Sequence, residues 1–231
     1  MSEPRLSPRV PVPHHPPVTD TSRPWEAIVA RRELAVLLIR HGRTAFNAEH
    51  RFCGGRSDPP LDARGREQAA ALGERFAGVA ARVFSSSQLR ARETAAALAE
   101  PTALEDLREL DQGGLEGREI HPALVEHAGF FRAWKRDPSH VPVPGGGESM
   151  GALADRVERG MAEVLAQVGA SRRVGRGQVI AVVGHQMAHG AFTCRALARP
   201  LRDWQQFALR NATANLLSWN GRTWTLVARN L

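Results

Sequence analysis

The chain has 231 residues, of which 42% are hydrophobic, 24% charged and 6% aromatic, the profile of an ordinary globular protein and not of a disordered one. Its longest apolar stretches, at 34–39 and 179–183, fall far short of the roughly 18–20 residues that span a bilayer, so no transmembrane helix and no membrane partner are expected. The formal net charge of +7 comes almost entirely from arginines spread along the chain, Lys135 being the only lysine, and no nucleic-acid-binding motif accompanies them. A nucleic-acid partner is therefore not expected, whereas a pocket for small anions suits this balance.

Seven of the fifteen prolines lie within the first 24 residues, beside the His14-His15 pair and few large apolar groups. Such a stretch cannot build a core, so residues 1–32 read as a proline-rich flexible tail and residues 33–231 as one domain. The opening Met1-Ser2-Glu3-Pro4 leads into no apolar region of the kind a secretory signal needs, and the default compartment is the cytoplasm. The run LAVLLI at 34–39 is continuously apolar, the mark of a strand buried on both faces of a parallel sheet, and the stretches at 82–86 and 178–183 read the same way. Helical patterns fill 63–76 after Asp62, 90–98, and about 149–168 behind Gly145-Gly146-Gly147. This alternation predicts an α/β fold, a three-layer α/β/α sandwich around a mostly parallel sheet. Asn220-Gly221, between strand-like runs at 213–219 and 223–227, predicts a type I′ turn and a C-terminal antiparallel hairpin. Cys53 and Cys194 have no metal or redox spacing and read as neutral thiols of a reduced protein.

Three predicted strands end in polar residues: Arg40-His41-Gly42, Ser85-Ser86-Ser87 followed by Arg90, and Gly184-His185-Gln186. Ligands of open α/β sheets bind outside the carboxyl ends of the strands, so two histidines and two arginines can converge there. Helices beginning near Arg90 and Gln186 would direct free N–H groups to the same rim, and phosphate is the natural guest.

These residues carry a family resemblance. Arg40-His41-Gly42-Arg43-Thr44 with Asn47 resembles the RHG-x-T/S-x-x-N signature of the histidine phosphatase superfamily, which includes the cofactor-dependent phosphoglycerate mutases. Arg51-Phe52-Cys53-Gly54 with Asp58-Pro59-Pro60-Leu61 resembles RF-x-G…D-x-PL, continued by Gly65 and Gln68-Ala69. Ser86 through Arg90-Ala91-Arg92-Glu93-Thr94-Ala95 is similar to S-x-L-x-RA-x-x-TA, with Gln88 where leucine is usual. Leu107-Arg108-Glu109 with Gly113 and Glu116-Gly117 resembles LRE…G-x-x-EG, Gly147-Glu148-Ser149 resembles GES, and Gly184-His185 resembles the second-histidine motif.

The chemistry of the residues and the resemblance lead to the same assignment. A neutral imidazole at His41 can attack phosphorus, provided that its other ring nitrogen is held by a hydrogen bond, for which nearby backbone is the natural acceptor. Arg40 and Arg90 can grip phosphoryl oxygens with their donor forks, and His185, if protonated, adds charge. Asn47 can donate an uncharged amide hydrogen; Thr44 and the Gln186 backbone N–H are further phosphate ligands to consider. The resemblance makes Glu109 the acid that protonates the leaving group, with Asp111 its local competitor, and Glu116 and Glu148 read as structural. His185 and His189 are four apart, but no HExxH is present and every motif is accounted for without a metal or cofactor. The segment around His121, His127 and Phe130-Phe131 is expected to pack over the pocket.

The resemblance thus implies a metal-independent phosphomonoesterase acting on a small-molecule phosphomonoester through a phosphohistidine, as a monomer or homodimer. The alternatives are a phosphotransferase of the phosphoglycerate mutase type and a non-catalytic or metal-dependent phosphate-binding module. Only 76 positions separate Glu109 from His185, short for the mutase branch, although Gly113-Gly114-Leu115 is mutase-like.

Overall fold

The computed structural model describes residues 23–170 and 177–231. Six strands form one sheet: β1 (Leu34–Arg40), β2 (Arg82–Ser86), β3 (Thr102–Leu104), β4 (Gln178–Gly184), β5 (Ala214–Trp219) and β6 (Trp224–Ala228), in the order β3-β2-β4-β1-β5-β6. Strands β1 to β4 run parallel to one another, and β5 is antiparallel to both β1 and β6. The helices are α1 (Pro24–Ala30), α2 (Ala45–Ala48), α3 (Ala63–Arg75), α4 (Leu89–Ala96), α5 (Ile120–Glu126), α6 (Ala128–Arg136), α7 (Met150–Gln167) and α8 (Gln186–Ala196).

The continuous apolar runs are required because the central strands feed two cores. Alternate side chains of a strand point to opposite faces. Leu34, Val36 and Leu38 pack with Ile180 and Val182 beneath α7 and α8, while Ala35, Leu37 and Ile39 pack with Val179, Ala181 and Val183 beneath α1, α3 and α4. The result is the three-layer sandwich. Helices α3 and α7 begin where their capping residues lie: Asp62 accepts the Gly65 amide at 2.7 Å, and Ser149 accepts the Ala152 amide at 3.2 Å. No helix among the described residues is long and apolar enough to cross a membrane.

Two expectations are corrected. The boundary placed after residue 32 is one: residues 24–30 form α1, which has proline in its first turn and buries Trp25 and Ile28 against the second core. Trp25 lies 5.6 Å from the Phe76 ring, and a Cβ on Gly177 would come within 2.1 Å of Val29 O, so the helix packs directly on backbone. Residues 1–22 lie outside the described residues. Ile28→Ala should therefore cost about 2–5 kcal/mol in a urea titration, the range for deleting a buried aliphatic side chain. A variant within experimental error of the parent would show α1 to be dispensable.

The C-terminal hairpin forms, but its turn is centred one residue later. Trp219 pairs with Trp224, which makes Gly221 and Arg222 the central residues, and of these only Gly221 has a positive φ, 93°. That is the type II′ pattern; type I′ needs positive φ at both positions. Asn220 instead uses its side chain, which accepts the Arg222 and Thr223 amides at 2.9 Å each.

Candidate active site

The register of β1 on β4 brings the two histidines together. Arg40 pairs with Gly184, so His41 and His185 leave adjacent parallel strands at the same level, and the His41 amide donates to Gly184 O at 3.0 Å. Their rings lie 5.2 Å apart between centroids. On the other side of β4, Ser85 pairs with Val183, which brings the end of β2 and the start of α4 to the same rim. Gly42 is needed here because a Cβ would sit 2.5 Å from Gly65 O, where α3 passes over the loop.

His41 is buried, and its Nδ1 lies 2.7 Å from Gly42 O. A carbonyl can only accept, so Nδ1 carries the proton and Nε2 carries a lone pair. Burial, then the charges of Arg90 and Arg40, hold this imidazole well below its ordinary range and keep it neutral. His185 is fully buried, and neither of its ring nitrogens has a partner among the described residues. Burial and Arg90 also push its proton affinity well down, so His185, whose protonation the sequence left open, is a neutral ring in the free protein.

The two arginines are tethered by some of their nitrogens and leave others unspent. Arg40 Nη1 donates to Gln186 Oε1 and, at 2.9 Å, to Leu209 O. Arg90, with no exposed surface, donates through Nη1 to Ser57 O at 2.9 Å and through Nη2 to Gly54 O at 3.1 Å. The Nε atoms of both are buried without a partner among the described residues. Unsatisfied buried donors are rare, and a pair of cationic ones beside two imidazoles forms a site for an anion.

Glu109 closes the site from the side of α8. Its Oε1 accepts the Leu110 amide at 2.9 Å and the Ala188 amide at 3.1 Å, and its Oε2 accepts the Met187 amide at 3.1 Å. Burial raises its pKa and outweighs these three hydrogen bonds and Arg90, which favour the charged form. The helix termini therefore differ from expectation. Glu109 takes the Met187 and Ala188 amides of α8, and Asp58 takes the Leu89 amide of α4 at 2.7 Å, so carboxylates of the chain itself hold part of each helix start, though not the Gln186 N–H considered for phosphate.

The family model of the histidine phosphatase superfamily (branch 1) matches residues 36–231. The chain belongs to that superfamily. It is 34% identical over 197 residues to a protein of Salmonella paratyphi C described as "probable phosphoglycerate mutase GpmB", covering 83% of this chain and 87% of the relative. Among solved structures it resembles a mycobacterial glucosyl-3-phosphoglycerate phosphatase in complex with VO3, with 28% identity, a TM-score of 0.74 and coverage of 86% of this chain and 98% of that one. It also resembles the alpha-ribazole phosphatase of Shigella flexneri, with 27% identity, a TM-score of 0.72 and coverage of 85% and 96%.

Of the superfamily residues singled out from sequence, Arg40, His41, Arg90, Glu109 and His185 come together at this rim. Asn47 joins them through the main chain of His41: Asn211 Nδ2 donates to both His41 O at 3.0 Å and Asn47 Oδ1 at 3.2 Å. Asn47 Oδ1 also accepts the Thr44 amide and hydroxyl at 3.2 Å each, which leaves its NH2 to donate elsewhere. Thr44 is committed to this capping box at the start of α2. Gln186 takes part through its side-chain oxygen on Arg40. Asp111 is turned to Arg56 at 2.8 Å and to the Gly113 amide at 2.8 Å. Glu116 accepts the Gly54 and Arg56 amides at 3.0 Å, and Glu148 pairs with Arg156 at 2.7 Å, so both brace loops. His189 is separated from His185 by function: its Nε2 donates to Ile39 O at 3.0 Å beneath the sheet end. Cys53 and Cys194 are neutral thiols, pushed up by burial to about 11 and about 12.

Asn211 and Leu209 O were missed from sequence, and Asp58 was read only as part of the D-x-PL resemblance, without its hold on the Leu89 amide. Each is an ordinary loop residue whose importance lies in a partner more than 30 positions away.

The buried histidines give the free protein an acid-labile fold. His41 and His185 are held well below 6.5, and His189 is lowered by burial to about 4. In the unfolded chain these rings protonate near their ordinary ~6.5, so below that pH the unfolded state binds more protons and stability falls with the pH. The raised Glu109 acts in the opposite sense, because its burial penalty is relieved on protonation, but three imidazoles oppose one carboxyl. The Tm in scanning calorimetry should be lower at about pH 5 than at about pH 7.5. A flat profile would mean that the rings are already charged in the folded state.

Proposed function

We propose that the protein is a metal-independent phosphomonoesterase that hydrolyses small phosphorylated metabolites through a phosphohistidine at His41. The observation that carries this reading is the fixed tautomer of His41: Nδ1–H on Gly42 O leaves Nε2 as the nucleophilic atom, beside His185 and two arginines with unspent Nε donors. In the first step His41 Nε2 attacks phosphorus, the bond from phosphorus to the leaving oxygen breaks, and Glu109 gives that oxygen its proton. In the second, water attacks the phosphohistidine, Glu109 takes a proton from the water, and the phosphorus–nitrogen bond breaks. Arg40, Arg90, the Asn47 amide and His185 stabilise the equatorial oxygens, which is most of the catalysis a loose phosphoryl transition state requires. The positive charge comes from the two guanidinium groups, so the mechanism has no step that calls for a metal.

Hydrolysis is favoured over mutase chemistry by what surrounds the site. A mutase needs further cations for the second anionic group of a bisphosphorylated intermediate, and must keep water from the phosphoenzyme. Arg43, Arg56 and Arg108, which follow or flank the motifs, already hold Asp62, Asp111 and Glu105. The mutase reading draws on Gly113-Gly114-Leu115 and on the description of the Salmonella relative.

One experiment separates these readings. Phosphate release from a panel of metabolite phosphomonoesters and an aryl phosphate, with and without a chelator, should proceed equally in both. In a parallel reaction with 3-phosphoglycerate and bisphosphoglycerate primer, fast formation of 2-phosphoglycerate with negligible phosphate release would establish the mutase instead. Activity that disappears with the chelator would establish a metal-dependent site.

A further inference from the structure

Gln88 stands where the motif S-x-L-x-RA-x-x-TA has leucine, and it is buried, with 3% of its surface exposed. Its amide is fully engaged. Nε2 donates to Gly54 O and to Ser57 O at 3.0 Å each, and Oε1 accepts from Arg90 Nη2 at 3.2 Å and from the Glu109 amide at 2.9 Å. The orientation of the amide is determined by its partners, because two carbonyls can only accept whereas a guanidinium and a backbone N–H can only donate. Leucine could make none of these bonds. Arg90 reaches the same two carbonyls through Nη1 and Nη2, so Gln88 and Arg90 form one closed network with the 54–57 loop.

This network reaches both ends of the proposed reaction. Arg90 is the buried cation whose Nε is left for the phosphoryl group, and Glu109 is the proton donor, whose carboxylate is placed by its own main chain and by the start of α8. We infer that Gln88 is a positioning residue: its single side-chain oxygen fixes the Arg90 guanidinium and the Glu109 main chain in one frame, so that phosphate clamp and proton donor keep their register. The inference rests on the phosphomonoesterase reading. It assigns to this chain a link that the leucine of the motif cannot supply.

Gln88→Leu is the direct test, since a leucine at this position accords with the motif and leaves Gly54 O and Ser57 O still bonded to Arg90. Only the Glu109 amide and one Arg90 hydrogen lose their acceptor. The variant should fold, with a Tm close to that of the parent. Inhibition by inorganic phosphate should weaken about tenfold as Arg90 loosens, and kcat/KM for an alkyl phosphate should fall about tenfold further than for an aryl phosphate as Glu109 drifts. Gln88→Met, close to glutamine in shape but without the amide, supplies the second arm if the leucine variant is unstable: it removes the same acceptor and should show the same weakening of phosphate inhibition and the same alkyl-to-aryl difference. A fall in Tm with unchanged phosphate inhibition and an unchanged ratio would reduce Gln88 to a packing residue and overturn the inference. Absence of turnover in the parent enzyme on every phosphomonoester would overturn the phosphomonoesterase reading and this inference with it.

Discussion

His41→Ala should lose on the order of 10⁴-fold or more in kcat, the scale seen when the nucleophile of a covalent mechanism is removed. The argument is geometric. Nδ1 is spent on Gly42 O, so Nε2 is the nitrogen available to attack, and burial with Arg90 and Arg40 keeps the ring unprotonated at neutral pH. Of the described imidazoles near the site, neither of the other two has this arrangement: His189 donates its Nε2 to Ile39 O, and neither ring nitrogen of His185 has a partner among the described residues. Acid quenching during turnover of labelled substrate destroys a phosphohistidine, whereas alkaline quenching preserves it, so the label should survive base on His41 and be absent from the alanine variant. Label on another residue, or full turnover without any trapped label in a rapid-quench series, would exclude the covalent route through His41. Phosphate binding should persist in the variant, because Arg40 and Arg90 remain.

Glu109→Gln should separate substrates by their leaving groups. Burial holds the Glu109 carboxyl above its ordinary range, which favours the protonated form needed to release an alkoxide. Alkyl phosphates, which leave as strongly basic alkoxides, should slow by about 10²–10⁴-fold, the usual contribution of a general acid, while activated aryl phosphates should lose far less in the first step. Pre-steady-state bursts distinguish this from slowed dephosphorylation, which should itself be retarded because glutamine cannot take the proton of the attacking water. Equal losses on both substrate classes would remove leaving-group protonation from Glu109. A larger selective loss in Asp111→Asn would move it there, against the salt bridge that turns Asp111 to Arg56. The pH dependence should follow: the limb on which activity is lost as the pH rises belongs to the Glu109 proton and should vanish in the glutamine variant.

Much of the architecture is written locally. The runs at 34–39, 82–86 and 178–183 are apolar on both faces because each must feed two cores, and β1, β2 and β4 appear there with ends displaced by at most one residue. Helices α3 and α7 begin immediately after Asp62 and Ser149 because a side-chain oxygen that satisfies an orphan amide is a short-range device, visible in a few residues. The residues that gather at the rim are likewise legible, since three strands of a parallel sheet that end in Arg40-His41, Ser86 and Gly184-His185 have few other places to bring them. Short, weakly periodic elements were not. The α1 helix follows directly on a proline-rich stretch and shows its burial only through Trp25 and Ile28 against distant Phe76 and β4, and α5 and α6 lie in a segment with little turn punctuation.

What the tertiary structure decided is how each site atom is used. The sequence determined that two histidines, two arginines and a glutamate meet, because strand ends and motifs are local. It could not determine that His185 is neutral, since that depends on burial and on Arg90 more than ninety positions away, nor that Glu109 takes the Met187 and Ala188 amides of α8 and Asp58 the Leu89 amide of α4. Likewise the use of the Gln88 amide depends on Gly54 and Ser57 of one loop, Glu109 of another and Arg90 of α4, which only the fold brings together around it. Hydrogen bonds and desolvation act over a few ångströms in space, and only the packing of the sheet determines which distant residues lie within that range.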